Sequence, residues 1–103
     1  LYGLSEKDVQ VIKSCLEKHP KIEQALIFGS RAIGSYRKGS DIDIALFGVQ
    51  QSELEEVRAQ ISDYLNEESP LPYYFDILDY QKVTNPSLKV HIDSVGKLLY
   101  KKN

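Results

Sequence analysis

Apolar side chains recur along this chain with two different periods, and the switches between them mark its elements. Val9, Ile12, Cys15 and Leu16 share one face at helical spacing behind Ser5 and Asp8, a capping-box pair, which predicts a first helix over 6–18. His19-Pro20 ends it, because the residue before a proline is driven out of the helical region. Residues 22–28 become steadily more apolar and predict a strand that runs into Gly29-Ser30. Gly34, Gly39 and the polar residues around them leave room for a loop with one helical turn over 31–36. Over 41–47 the pattern alternates, with Ile42, Ile44 and Leu46 on one face of a second strand and Asp41, Asp43 and Ala45 on the other.

Ser52 and Glu55 form a second capping-box pair ahead of Leu54, Val57, Ile61, Tyr64 and Leu65, which predicts a helix over 53–67. An extended Ser69-Pro70-Leu71-Pro72 linker leads to residues 73–79, whose aromatic and β-branched content predicts a third strand interrupted by Asp76. Asn85-Pro86 suits a cap and first helical position, and Leu88, Ile92 and Val95 continue at helical intervals to Gly96. Residues 97–100 read as a short strand or packed tail, and the chain carries no internal repeat.

Composition narrows this to an ordinary globular chain: 103 residues, 42% hydrophobic and 27% charged, with one domain expected over 1–103. A chain this short builds one core with little left to enclose a deep cavity, so a large substrate must lie on an open face. Thirteen basic against fifteen acidic side chains give a net charge of −2, so no global basic field exists and no direct DNA binding is expected. No apolar run approaches the roughly 20 residues of a membrane span, and the lone Cys15 has no internal disulfide partner; a cytoplasmic location is expected. The sequence contains no methionine, so residues are expected to precede Leu1.

Three features carry candidate chemistry: Gly29-Ser30 at a strand end, Asp41-x-Asp43 on one face of the next strand, and Asp76 within the third. Each alone is weak, since Gly-Ser is a common turn and a single D-x-D is usually a solvated face. Together they are costly without a use, because aspartate is a poor strand former. Asp41 and Asp43 project the same way and repel, which calls for either a raised pKa on one carboxylate or a bound cation. Oxygen-only ligation points to magnesium or manganese rather than zinc. If Asp76 joins them, the three acids suit two divalent ions and an in-line phosphoryl displacement, while Gly29 and Ser30 supply backbone N–H and hydroxyl donors for phosphate.

Gly29-Ser30, ten intervening residues and Asp41-Ile42-Asp43 resemble the G-S-x10-D-x-D signature of the DNA polymerase beta-like nucleotidyltransferases. The wording GSRAIGSYRKGSDIDIAL, the third acid in Phe75-Asp76-Ile77-Leu78-Asp79 and the short length are similar to the minimal nucleotidyltransferases of that superfamily, over nearly the whole chain. The resemblance implies an α/β (α+β) fold: a polymerase-beta-like palm, a mixed sheet with helices packed on one side. It also implies Mg²⁺-dependent transfer of a nucleoside monophosphate, AMP from ATP, with release of pyrophosphate. Carried over by position, Gly29 and Ser30 bind the nucleotide, Asp41, Asp43 and Asp76 form the catalytic and metal-binding set, and Asp76 helps activate an acceptor hydroxyl. Arg31, between the phosphate loop and the acids, is a further nucleotide-binding candidate that would neutralise triphosphate charge, its alternative being a solvated loop. Asp79 stands apart, since strand alternation points it away from Asp76. Minimal members of the family act as MntA-like antitoxins of small helical HEPN proteins, and some adenylylate a tyrosine of the toxin. No second domain for an acceptor is expected, in keeping with an acceptor borrowed from a partner. The alternative is a non-catalytic nucleotide-binding module that neutralises its partner by stoichiometric association. Transfer to RNA or a small antibiotic is held back by the missing second domain.

The remaining reactive residues read more blandly. Arg37 and Lys38 suit a solvated loop, and Tyr73, Tyr74 and Tyr80 suit strand packing or a partner contact. Cys15 belongs to the core face of the first helix. His19 and His91 lack ligand spacing and are expected to be structural or solvent-facing.

Overall fold

A computed structural model of the chain describes residues 2–48 and 50–103. The elements are α1 (Glu6–Glu17), β1 (Gln24–Phe28), α2 (Gly29–Ile33), β2 (Ile42–Phe47), α3 (Leu54–Asp63), β3 (Phe75–Asp79), α4 (Pro86–Val95) and β4 (Lys97–Lys101). The four strands form one mixed sheet in the order β3-β2-β1-β4. β1 pairs antiparallel with both β2 and β4, and β2 pairs parallel with β3. The parallel step requires a crossover, which α3 provides.

Strand alternation sorts the sheet into two faces. Ala25, Ile27, Ile42, Ile44, Leu46, Phe75 and Ile77 point into the main core, where Ile12, Cys15 and Leu16 of α1 and Leu54, Val57 and Ile61 of α3 cover them. Buried Cys15 is part of this core, and burial pushes its thiol pKa up. The helices expected on one side of the sheet are therefore α1 and α3. In addition, α4 covers part of the opposite face, where Ile92 packs with Phe28 and Ala45 and is flanked by Leu26, Leu78 and Leu88. The rest of that second face carries the acids.

Local chemistry sets most of the ends. Ser5 Oγ accepts from the Asp8 N–H while Asp8 Oδ2 accepts from the Ser5 N–H, the reciprocal cap expected for α1. Asn85 Oδ1 likewise caps α4 through the Ser87 and Leu88 N–H groups, with Pro86 in the first turn. The Ser52–Glu55 box does not form. Glu55 instead pairs with Arg58 and Lys82, and a 3₁₀ turn over Gln51–Glu53 leads into α3 without a side-chain cap.

The helix expected over 53–67 changes character after Asp63, becoming a π-helical turn over Tyr64–Glu68. Its wider winding presents Asn66 to the edge strand. Asn66 Oδ1 accepts from the Phe75 N–H at 2.7 Å, and its Nδ2 donates to the Phe75 carbonyl at 3.0 Å. One side chain thus does for Phe75 what a neighbouring strand would do, and the next residue along is Asp76.

Candidate active site

β1, β2 and β3 lie side by side, and the acids sit where their ends meet. The parallel register sets Asp43 directly beside Asp76, and Asp41 lies just before β2 begins. Asp41 and Asp76 are exposed and Asp43 is half-buried. The Asp43 carboxyl is pushed up to about 6, first by burial and then by the neighbouring negative charges of Asp76 and Asp41. Asp43 thus registers both other acids electrostatically.

Among the described residues, the ion pairs are Lys21–Glu53, Arg58–Glu55 and Lys82–Glu55, none involving these three acids. No three ligand-type side chains among the described residues are gathered closely enough to enclose an ion. The donor set still fits a hard divalent cation: three carboxylates on an open face, all oxygen, uncompensated in charge. Magnesium in particular is held by one or two carboxylates and completes its shell with water and substrate phosphate. A surface depression bounded by Glu23, Phe47, Gln81 and Lys101 lies elsewhere and contains none of the acids.

Gly29 joins β1 to α2 at a φ of +72°, and a Cβ there would overlap the Asp43 carboxylate. Glycine is therefore required twice, for the left-handed backbone and for the close approach of Asp43. Ser30 follows, with its carbonyl accepting from the Gly34 and Ser35 N–H groups at 3.0 Å, which fixes the short helical turn. The Gly29 turn thus lies against Asp43.

Arg31 is packed inside the protein and not in a solvated loop. It is 3% exposed, and its guanidinium is used up inside the protein. Nε and Nη2 donate to the Ser40 carbonyl at 3.1 and 2.9 Å, Nη1 donates to the Tyr2 carbonyl at 2.9 Å, and the plane lies between the Tyr36 and Tyr73 rings. This geometry staples the loop between α2 and β2 at the residue preceding Asp41 and leaves little of the guanidinium for a triphosphate. Arg37 and Lys38 are exposed, as a solvated loop requires.

Tyr80 stacks on Phe47 at 4.4 Å and donates to Asp93 at 2.6 Å, whereas Tyr74 is exposed. Asp79 lies away from the other acids, as alternation predicts: it is 2% exposed, and neither of its carboxylate oxygens has a hydrogen-bond partner. Burial pushes its pKa up. Two contributors escaped the sequence reading. Asn66 gave no periodic signal, and His91, read as structural or solvent-facing, has its Nε2 3.0 Å from the Gly29 N–H.

An antiparallel β1–β2 pair, a parallel β3, a glycine turn and in-register carboxylates together define the nucleotidyltransferase palm. Residues 10–103 match the family described as Polymerase beta, Nucleotidyltransferase, and the chain belongs to that family. Solved structures agree on the fold. A toxin-antitoxin with AMP-PNP superposes with a TM-score of 0.65 at 22% identity, over 93% of this chain and 75% of that one. A mutant of the toxin-antitoxin MntA-HpeT gives 0.60 at 21% identity, over 97% and 75%. A protein from Sulfolobus solfataricus assigned as a nucleotidyltransferase gives 0.57 at 24% identity, over 91% and 77%. No curated protein sequence matches the chain. Among the described residues, no helix is long and apolar enough to cross a membrane.

Proposed function

We propose that this protein transfers the AMP of ATP, in a Mg²⁺-dependent reaction, to a hydroxyl of a partner protein, and that the partner is a small helical HEPN-type toxin. The observation that carries the reading is the in-register Asp43–Asp76 pair lying against the Gly29-Ser30 turn. Membership of the nucleotidyltransferase family supports the reaction class, and the likeness to toxin-antitoxin structures, one holding AMP-PNP, supports the partner and the nucleotide.

In this reading Gly29 and Ser30 hold the triphosphate, and Asp41, Asp43 and Asp76 hold the metal. A bound divalent ion supplies charge neutralisation for the phosphates and lowers the cost of bringing them to three carboxylates. The acceptor oxygen attacks the α-phosphorus, the bond to the α,β-bridging oxygen breaks, and pyrophosphate leaves. Asp76, exposed at the sheet edge, takes the hydroxyl proton. Arg31 takes no part in phosphate binding and instead holds the loop that delivers Asp41. The open face suits an acceptor carried by another protein.

Exposed Leu98 on β4 and Val90 on α4, 54% and 63% accessible, favour a second reading in which the partner is neutralised by association alone. Co-expression with the partner separates the two. Transfer predicts an AMP adduct on a partner hydroxyl by mass spectrometry, with both adduct and neutralisation lost in Asp43→Asn. Neutralisation that survives this substitution assigns the function to association.

A further inference from the structure

Gly29 is the first residue after β1, and its N–H is one of the donors that a strand-to-helix junction leaves without a regular partner. That donor is satisfied from 62 residues away: Nε2 of His91, on α4, accepts it at 3.0 Å. An accepting Nε2 requires the neutral ring with its hydrogen on Nδ1. The ring makes an edge-on contact with Phe28, centroids 6.0 Å apart at 77°, and α4 itself is anchored on this sheet face by the buried Ile92. At the same glycine, the Asp43 carboxylate fills the space that a Cβ would take. Gly29 is therefore gripped on one side by His91 and on the other by Asp43.

We propose that His91 is a positioning residue that locks the Gly29 turn against Asp43, so that the Ser30 donors and the Asp43 carboxylate face the same point. The functional half of this inference rests on the nucleotide-binding reading above. The lock itself rests only on the hydrogen bond and the packing. It also gives α4 a task beyond covering the sheet, because this helix carries the acceptor.

The test compares wild type with His91→Leu, which fills the space without an acceptor, and His91→Gln, whose Oε1 reaches about as far as Nε2. Exchange of the Gly29 amide proton is followed by NMR, Mg²⁺-ATP affinity by calorimetry and folding by thermal melting. Loss of the acceptor is expected to speed Gly29 exchange and weaken Mg²⁺-ATP binding by about tenfold each. His91→Gln is expected to restore both, with melting temperatures of the two variants alike. Unchanged Gly29 exchange in His91→Leu overturns the lock. A glutamine variant as impaired as the leucine variant also overturns it, since ring packing and not hydrogen-bond acceptance would then be what matters. A wild type that binds no Mg²⁺-ATP sinks the nucleotide reading instead, and the exchange comparison still decides whether His91 holds the turn.

Discussion

Asp43→Asn removes the charge on which the reaction is proposed to depend, yet it is expected to make the protein more stable. The Asp43 carboxyl rises from its ordinary 3.8 to about 6 because burial and the neighbouring Asp76 and Asp41 disfavour the ionised form. A group whose folded pKa is raised binds its proton more tightly in the folded state, so stability is lost as pH climbs from about 4 through about 6. A rise of roughly two on the pH scale corresponds to about 3 kcal/mol at 1.36 kcal/mol each. Asp43 is only half-buried, and solvent screening reduces this to about 1–1.5 kcal/mol. Asparagine keeps the shape without the charge. Urea denaturation with EDTA present should show Asp43→Asn more stable than wild type by about 1–1.5 kcal/mol at pH 7.5, or about 5–10 °C in Tm. The gap should nearly close by about pH 3, below the ordinary 3.8, where Asp43 is mostly protonated in both folded and unfolded wild type. Added Mg²⁺ should narrow the gap at pH 7.5 by stabilising wild type alone. A variant less stable than wild type at pH 7.5, or a gap that ignores pH, refutes the reasoning.

Further expectations follow from other contacts. Arg31→Leu should cost roughly 2–4 kcal/mol by urea denaturation, because it removes three hydrogen bonds to the half-buried Ser40 and Tyr2 carbonyls; a loss below about 1 kcal/mol contradicts the staple. Gly29→Ala should cost about 1–2 kcal/mol for the left-handed backbone and abolish Mg²⁺-ATP binding by calorimetry, since the methyl group displaces Asp43; retained affinity contradicts the close approach. Asp79→Asn should stabilise the fold by on the order of 1–2 kcal/mol at pH 7.5, and by less as pH falls, because its raised pKa carries the same sign as that of Asp43; chemical denaturation at two pH values checks it.

How much was legible in the sequence follows from how local each determinant is. The Ser5–Asp8 cap, the Asn85-Pro86 start and the alternation of Ile42, Ile44 and Leu46 act within a few residues, and each appears in the structure where the pattern predicts it. The Asp43–Asp76 juxtaposition needed the parallel β2–β3 register, which strand parity alone does not supply. Arg31 looked like a phosphate ligand because it stands beside Gly29-Ser30, but its partners are main-chain carbonyls that only the folded loop brings to it. Asn66 acts across 9 residues through two hydrogen bonds and His91 across 62 residues through one, and such bonds leave no periodicity to read. The Ser52–Glu55 box had the right residue types, but Glu55 is taken by Arg58 and Lys82.

The central claim is that the Asp43 site moves a nucleotide. The most direct measurement incubates the purified protein and Mg²⁺ with a lysate of its source, using ATP labelled at the α-phosphate beside ATP labelled at the γ-phosphate. Wild type and Asp43→Asn are then compared on a gel. The account predicts a labelled protein band from α-labelled ATP only, present with wild type and absent with Asp43→Asn. A band that persists in Asp43→Asn, or label that arrives from the γ-phosphate, contradicts it.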